Sequence, residues 1–300
     1  MQWIREYKPQ PLIKDLYRQA LWITVSGNVL LASIKAIVAY TSGSVALYAD
    51  AANSISDVVY SSLMVVGLLI AMSPPDISHP QGHSRFEPLV GLVVTASMTF
   101  AGFEAARASI VRFLAGGLTI DPGLPTIVLL ISASLKAVMY ILIRNIAKKI
   151  FSPTLATTAQ DNLSDVLTSI AAFVGVWGSD IIHPLFDPIA GIIVSLWIFR
   201  AAFNAAKDNL GFLTGAGAPQ ELREKIVKAA ESVPGVLKVH HTMTEYVGPK
   251  LVVDIHINVD GNLSLNKAHE ISDLVNRKLE EIPDVDRAYI HVEPEGWEEK

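Results

Sequence analysis

Long apolar runs, broken by short polar stretches, fill the chain from about residue 20 to 207, and the pattern then changes. A helix that crosses a bilayer needs about 20 mainly apolar residues. Six stretches qualify: 20–41, 44–72, 88–114, 124–148, 153–177 and 187–207. Pro74-Pro75 stops the second, Gly116-Gly117 follows the third, Pro122 precedes the fourth, and Pro153 suits the first turn of the fifth. From 209 onward the periodicity is that of a soluble domain. An amphipathic helix is predicted over 219–231, two strands over 236–246 and 251–259 around Val247-Gly248-Pro249, a helix over 265–281, and a short strand over 287–292. That order fits a small two-layer α+β sandwich. The expected fold class is a membrane all-α bundle of six transmembrane helices over 1–208, followed by a C-terminal α+β domain with order αββαβ over 209–300.

Composition agrees. Only 18% of residues are charged and 51% are hydrophobic, against about 25% charged in ordinary soluble domains. The absence of cysteine excludes disulfides and Cys-based zinc sites. A net charge of −5 with no basic stripe argues against nucleic acid as a partner. Residues 1–14 lack the apolar core and cleavage site of a signal peptide, so the first apolar helix is expected to act as both signal and anchor in the lipid bilayer. Lys and Arg gather in the N-terminal arm (Arg5, Lys8, Lys14, Arg18), near Arg85, at Arg144, Lys148 and Lys149, and at Arg200 and Lys207. The alternate loops, 41–44, 115–123 and 178–186, have none. Both termini are therefore expected in the cytoplasm, with the protein in the cytoplasmic (inner) membrane. Arg107 and Arg112, near the outer end of the third span, run against this count and are expected to snorkel to the interface.

The second span carries Asn53 and Asp57, and the fifth carries Asp161 and Asp165; each pair is four residues apart and so shares a helix face. If the two faces meet, three carboxylates and an amide oxygen surround one point inside the membrane. Ionisable groups there are costly and mark ion pathways. Like charges repel, a dication relieves the repulsion, and protons compete for the same oxygens. Helix–helix hydrogen bonding explains Asn53, Ser54, Ser56 and Ser164 well but explains three aspartates poorly. Asp50 fits either the same cavity or the water boundary and is left out of the set.

Two further groups carry imidazole. Asp76, His79 and His83 share one compact loop after the second span, a donor set suited to zinc and related ions, although spacing alone slightly favours a solvated loop. Five of the eight histidines lie in the tail: His240, His241, His256, His269 and His291. His240 and His256 fall on the hairpin strands, and His291 and Glu293 share a face of the last strand. His241, and His183 in an outer loop, read as surface histidines. His269-Glu270-Ile-Ser-Asp273 lacks the second histidine of a zinc-protease helix. With no nucleophile–base motif elsewhere, the chain is expected to be a secondary transporter and not an enzyme, with no prosthetic group.

In combination, Gly43-Ser-Val-Ala-Leu-Tyr-Ala-Asp-Ala, the two four-spaced pairs, His79-Pro-Gln-Gly-His83-Ser-Arg-Phe-Glu87 and Asp187-Pro-Ile-Ala-Gly191 resemble the cation diffusion facilitator family over nearly the whole chain. The resemblance implies efflux of divalent metal ions against protons by a homodimer, with a ferredoxin-like cytoplasmic tail. It implies a transport site at Asn53, Asp57, Asp161 and Asp165, a second ion at Asp76, His79 and His83, and tail ligands His240, His256, His269, His291 and Glu293. Zinc-exporting relatives commonly have His at a transport position; none is present here. An oxygen-only set favours a harder ion, so Mn²⁺ is expected ahead of Zn²⁺, Cd²⁺ or Fe²⁺. Arg85 matches one half of a charge interlock found in some relatives, but the position near Thr214 is not acidic. Rival readings are a metal-gated channel without antiport and a metal-binding membrane scaffold.

Overall fold

The protein is described by a computed structural model covering residues 4, 11–42, 45–117 and 124–296; among these, the side chains of 42, 45–50, 52, 53, 124, 125, 176 and 180 are not described. The chain divides into two units, Met1–Leu210 and Gly211–Lys300.

The first unit is built from six long helices: α1 (Pro11–Ser42), α2 (Val45–Ala71), α3 (Phe86–Leu114), α4 (Leu124–Ile150), α5 (Pro153–Ile181) and α6 (Phe186–Thr214). Among the described residues, five of them contain an 18-residue stretch apolar enough to cross a membrane; α5 does not. The shortfall has a local cause. The first half of α5 carries Thr154, Thr157, Thr158, Gln160, Asp161, Asn162, Ser164 and Asp165, and most of these are buried inside the bundle. Large apolar side chains such as Trp22, Tyr40, Phe100, Ile193 and Phe203 face outward instead, the inverse of a water-soluble bundle.

One apolar core ties five helices together: Tyr17, Ala20 and Leu21 of α1, Met64 and Leu68 of α2, Val90 of α3, Met139, Ile143, Ile146, Ala147 and Ile150 of α4, and Leu155 and Ala159 of α5. Small residues bring backbones close, as expected where lipid supplies no hydrophobic drive between helices. A Cβ on Gly27 of α1 would strike Met139 of α4, and one on Gly191 of α6 would strike Ser109 of α3. α1 starts at Pro11, earlier than the apolar run suggests, because Tyr17 and Ala20 are inside the core and extend the helix into polar sequence. α5 starts where Pro153 predicts, capped by Ser152, whose Oγ accepts from the Leu155 N–H at 3.1 Å. α6 runs on to Thr214, past the apolar stretch that ends near 207.

The second unit follows the order α7 (Gln220–Glu231), β1 (Lys238–Val247), β2 (Lys250–Val259), α8 (Leu265–Glu280), β3 (Val285–Pro294). This is the expected ferredoxin-like αββαβ arrangement. The sheet runs β1-β2-β3, with β1 and β2 antiparallel through the turn at Gly248 (φ +66°) and β2 and β3 parallel through the α8 crossover. Leu251, Val253, Ile255 and Ile257 alternate inward along β2 and pack on Ile226 and Ala230 of α7 and Ile271, Val275 and Leu279 of α8. The opposite face of the sheet is left for polar chemistry.

Candidate metal centres

The acidic faces of α2 and α5 meet. Asp57 of α2 and Asp161 of α5 line one cavity together with Thr24, Asn28, Ser61, Met64, Thr158 and Asn162. Below it, Thr158 Oγ1 contacts Met64 Sδ at 3.2 Å, so the two helices touch directly. Asn28 of α1 braces the site: its amide donates to Ser61 Oγ at 2.6 Å, one turn beyond Asp57. Asp165 lies one turn beyond Asp161 and is joined to Asp57 through a cation. Lys136 Nζ, from α4, lies 3.2 Å from Asp57 Oδ2 and 2.7 Å from Asp165 Oδ2. The longer contact is a hydrogen bond. The shorter is poorly aligned, leaving Asp165 Oδ2 buried without a well-directed donor. Asn53 is on α2, but its side chain, like that of Asp50, lies outside the described ones.

Lys136 is absent from the sequence-derived set. It is 5% exposed and sits on the inward stripe of α4 formed by Ser132, Met139 and Ile143. A lone lysine in the middle of Leu-Leu-Ile-Ser-Ala-Ser-Leu-Lys-Ala-Val-Met-Tyr-Ile-Leu-Ile was a readable signal, because a buried charge in a span needs a partner. Lys35 of α1 is a second buried lysine of the same kind.

The loop group assembles as expected. One ligand atom each from Asp76, His79 and His83 lies within 4.8 Å of the others. The loop is pinned by the His79 N–H donating to Asp76 Oδ1 at 2.6 Å and by Gly82 at φ +94°. The His79 hydrogen bond is the main reason that the Asp76 carboxyl is held below its usual range; it stays an anion facing His79 (3.4 Å) and His83 (3.4 Å). His83 is buried, and its Nδ1 has no hydrogen-bond partner.

In the tail, ligand atoms of His240, His256 and Glu293 lie within 4.8 Å of one another. His240 Nδ1 is 3.0 Å from Asn258 Oδ1, and the Asn258 amide donates to the Pro294 carbonyl at 3.1 Å. Asn258 therefore presents an acceptor to His240 Nδ1, which orients the ring and turns its Nε2 to the site. Nε2 lies 2.8 Å from Glu293 Oε2. His256 Nδ1 is buried and unpartnered. Two imidazoles and a carboxylate with ligand atoms this close together are a donor set that fits a metal ion.

A β-bulge places the extra residue His240 between Val239 and His241. As a result His241 lies directly across from His256, which in turn lies across from His291. Their rings are 4.8 Å and 4.7 Å apart. His241, taken as an isolated surface residue from the sequence, is thus part of a three-histidine row. His291 Nε2 reaches Glu293 Oε1 at 3.4 Å. His269 is 74% exposed on α8, 3.7 Å from Asp273, and lies outside the cluster that His240, His256 and Glu293 form within one chain. α8 presents His269 to solvent while its opposite face enters the core. His183 is exposed and accepts from the Leu185 N–H at 3.2 Å.

One interhelical ion pair and a hydroxyl cluster tie helices of the bundle together. Arg112 does not snorkel free: it meets Asp187 of α6 at 2.9 Å, and Arg107 is 3.4 Å from Glu104. Glu87 of α3 is buried, accepts from Tyr17 Oη at 2.6 Å, and is also bonded by Ser152 Oγ. Thr154 Oγ1 donates to its carbonyl.

The chain matches the family model described as the cation efflux transmembrane domain over residues 21–214 and that described as the cation efflux protein cytoplasmic domain over residues 218–295. An uncharacterized transporter of Methanocaldococcus jannaschii is 35% identical over 273 residues, spanning 91% of this chain and 96% of the relative. Metal tolerance protein C1 of Arabidopsis thaliana is 31% identical, over 90% of this chain and 61% of its own length. The manganese efflux system protein MneS of Bacillus subtilis is 27% identical, over 91% of this chain and 93% of its own.

Proposed function

This chain belongs to the cation efflux family, as a multi-pass membrane transporter of metal cations, and from that premise we propose that it is a homodimeric proton antiporter exporting divalent metal ions, Mn²⁺ first among them. The observation that supports this reading most strongly is the shared centre of α2, α4 and α5, where Asp57 and Asp161 line one cavity and Asp57 and Asp165 share one cation. Asn53, Asp57, Asp161 and Asp165 form the transport site. The ion enters from the cytoplasm, the helices rock, and the ion leaves on the far side as protons take its place on the same carboxylates. Exchange of this kind keeps a buried acidic site close to charge balance in both orientations.

Manganese follows from the donors. Carboxylate and amide oxygens suit harder ions, while imidazole suits zinc, and the family relative MneS is itself a manganese efflux protein. Imidazole is kept for the sensing groups. Asp76, His79 and His83 in the loop, and His240, His256, His291 and Glu293 in the tail, read cytoplasmic metal and favour the packed dimer. Both termini face the cytoplasm of a cell whose inner membrane holds the protein.

Flux in proteoliposomes tests the proposal. An outward-directed Mn²⁺ gradient should drive counter-movement of protons, and Asp57→Ala with Asp161→Ala should reduce both to background. Mn²⁺-dependent proton movement that survives the double substitution contradicts the assignment, and Mn²⁺ flux without proton movement favours a channel.

A further inference from the structure

We infer that Lys136 is a tethered competitor of the transported ion: its ammonium and the metal take turns on Asp57 and Asp165, and this competition holds metal affinity low enough for release. The inference rests on the transport-site reading above.

Three observations carry it. Lys136 Nζ is at the oxygens themselves, 3.2 Å from Asp57 Oδ2 and 2.7 Å from Asp165 Oδ2. These oxygens come from the two helices whose carboxylates make the transport site, so Lys136 is not an ion pair set to one side. Second, the lysine is buried on the inward face of α4; a charge so placed is costly, and a purely structural bridge between two helices is made as well by neutral hydrogen bonds. Third, one ammonium spans both helices, meeting an oxygen of α2 and an oxygen of α5 at once. It therefore already occupies the place between the two carboxylates where a transported cation would sit.

Competition then follows from electrostatics. A divalent ion binds carboxylate oxygen at roughly 2.0–2.2 Å. With the ammonium still on the same two atoms, the two cations would be separated by little more than a water diameter, where their repulsion exceeds thermal energy several-fold. Metal binding therefore displaces the ammonium, and the ammonium's return helps to displace the metal. The flexible four-carbon stem of lysine permits that movement, whereas a rigid guanidinium fork would not be needed for it. A monovalent ion brings no charge advantage over the resident ammonium, so the same device discriminates against Na⁺ and K⁺.

The test uses full-length protein with the loop and tail groups silenced (His79→Ala, His83→Ala, His240→Ala, His256→Ala), and reads equilibrium Mn²⁺ binding together with transport. Lys136→Met should tighten Mn²⁺ binding by about 10-fold or more, within the usual range of site–site coupling, and should lower KM and kcat together because release slows. Lys136→Arg, which keeps the charge, should stay near the parent affinity. The chain has no cysteine, so Lys136→Cys gives a second route: it should bind tightly as made and weakly after aminoethylation restores an ammonium in the same folded sample. Affinity that is unchanged or weaker in Lys136→Met, or unmoved by aminoethylation of Lys136→Cys, overturns the inference. If the silenced parent binds no Mn²⁺, or if Asp161→Ala leaves its binding intact, the transport-site reading fails instead.

Discussion

Between α2, α4 and α5 the carboxylates are answered by an ammonium; on the sheet of the tail the buried carboxylate of Glu293 is answered by imidazoles. The two centres also differ in how they are built. The first is assembled from residues four apart on helices. The second comes from residues facing one another across strands, with His240 turned in by a bulge. The difference follows from what each place demands. Within a membrane, several acidic groups need compensation from a charge that can leave when the cargo arrives. In a water-facing domain imidazoles can be held ready for a metal by a neighbour that orients the ring, as Asn258 does for His240. On the proposed reading, a site that releases its ion and a site that reports one use different donors.

Exchanging one donor type for the other gives the largest expected effect. Asn53→His replaces one oxygen donor of the proposed transport set by an imidazole and should move transport preference from Mn²⁺ toward Zn²⁺, read by competition among Mn²⁺, Fe²⁺, Zn²⁺ and Cd²⁺ in vesicles; an unchanged order would break the link between donor hardness and cargo. In the tail, Glu293→Gln removes the carboxylate shared by His240, His256 and His291. Metal affinity of the sensing site, measured by titration at neutral pH, should fall by roughly 10–100-fold, with Asn258→Ala producing a drop within the same range through loss of His240 orientation. Transport by vesicles at saturating Mn²⁺ should change little in either variant, and a collapse of basal transport would show that the two centres are not separable.

A smaller effect is expected at Glu87. Tyr17→Phe leaves this buried carboxylate short of a donor and should cost about 1–3 kcal/mol, read as a lowered unfolding temperature. His269→Ala should be the smallest, with tail metal affinity unchanged, because the residue is exposed beside Asp273 and away from the cluster.

Much of this was legible in the sequence, for reasons that can be named. The two i,i+4 pairs and the apolar spans use the helix period directly, and the αββαβ order of the tail follows from turn residues such as Gly248 and alternation along β2. Lys136 leaves only a faint mark: a single lysine barely lowers the apolarity of a long span, and its one signal is that a buried charge there needs a partner. His240 was legible as a ligand, but the row that His241 forms with His256 and His291 was not, because a bulge shifts the register of β1 and no local pattern marks it. The Tyr17–Glu87–Ser152 cluster joins α1, α3 and the start of α5 across 65 to 70 positions, and no local pattern announces such a contact. What sequence reading recovers best is periodic; what it loses here is a charge pair, a bulge and a long-range hydrogen bond.

The central claim is that carboxylates from α2 and α5 hold the transported ion together. Electron paramagnetic resonance of Mn²⁺ bound to full-length protein with the loop and tail groups silenced addresses it directly. The account predicts a bound-Mn²⁺ signal that disappears with Asp57→Ala alone and equally with Asp161→Ala alone. A signal that persists after either substitution would show that one helix holds the ion by itself, and the claim would fall.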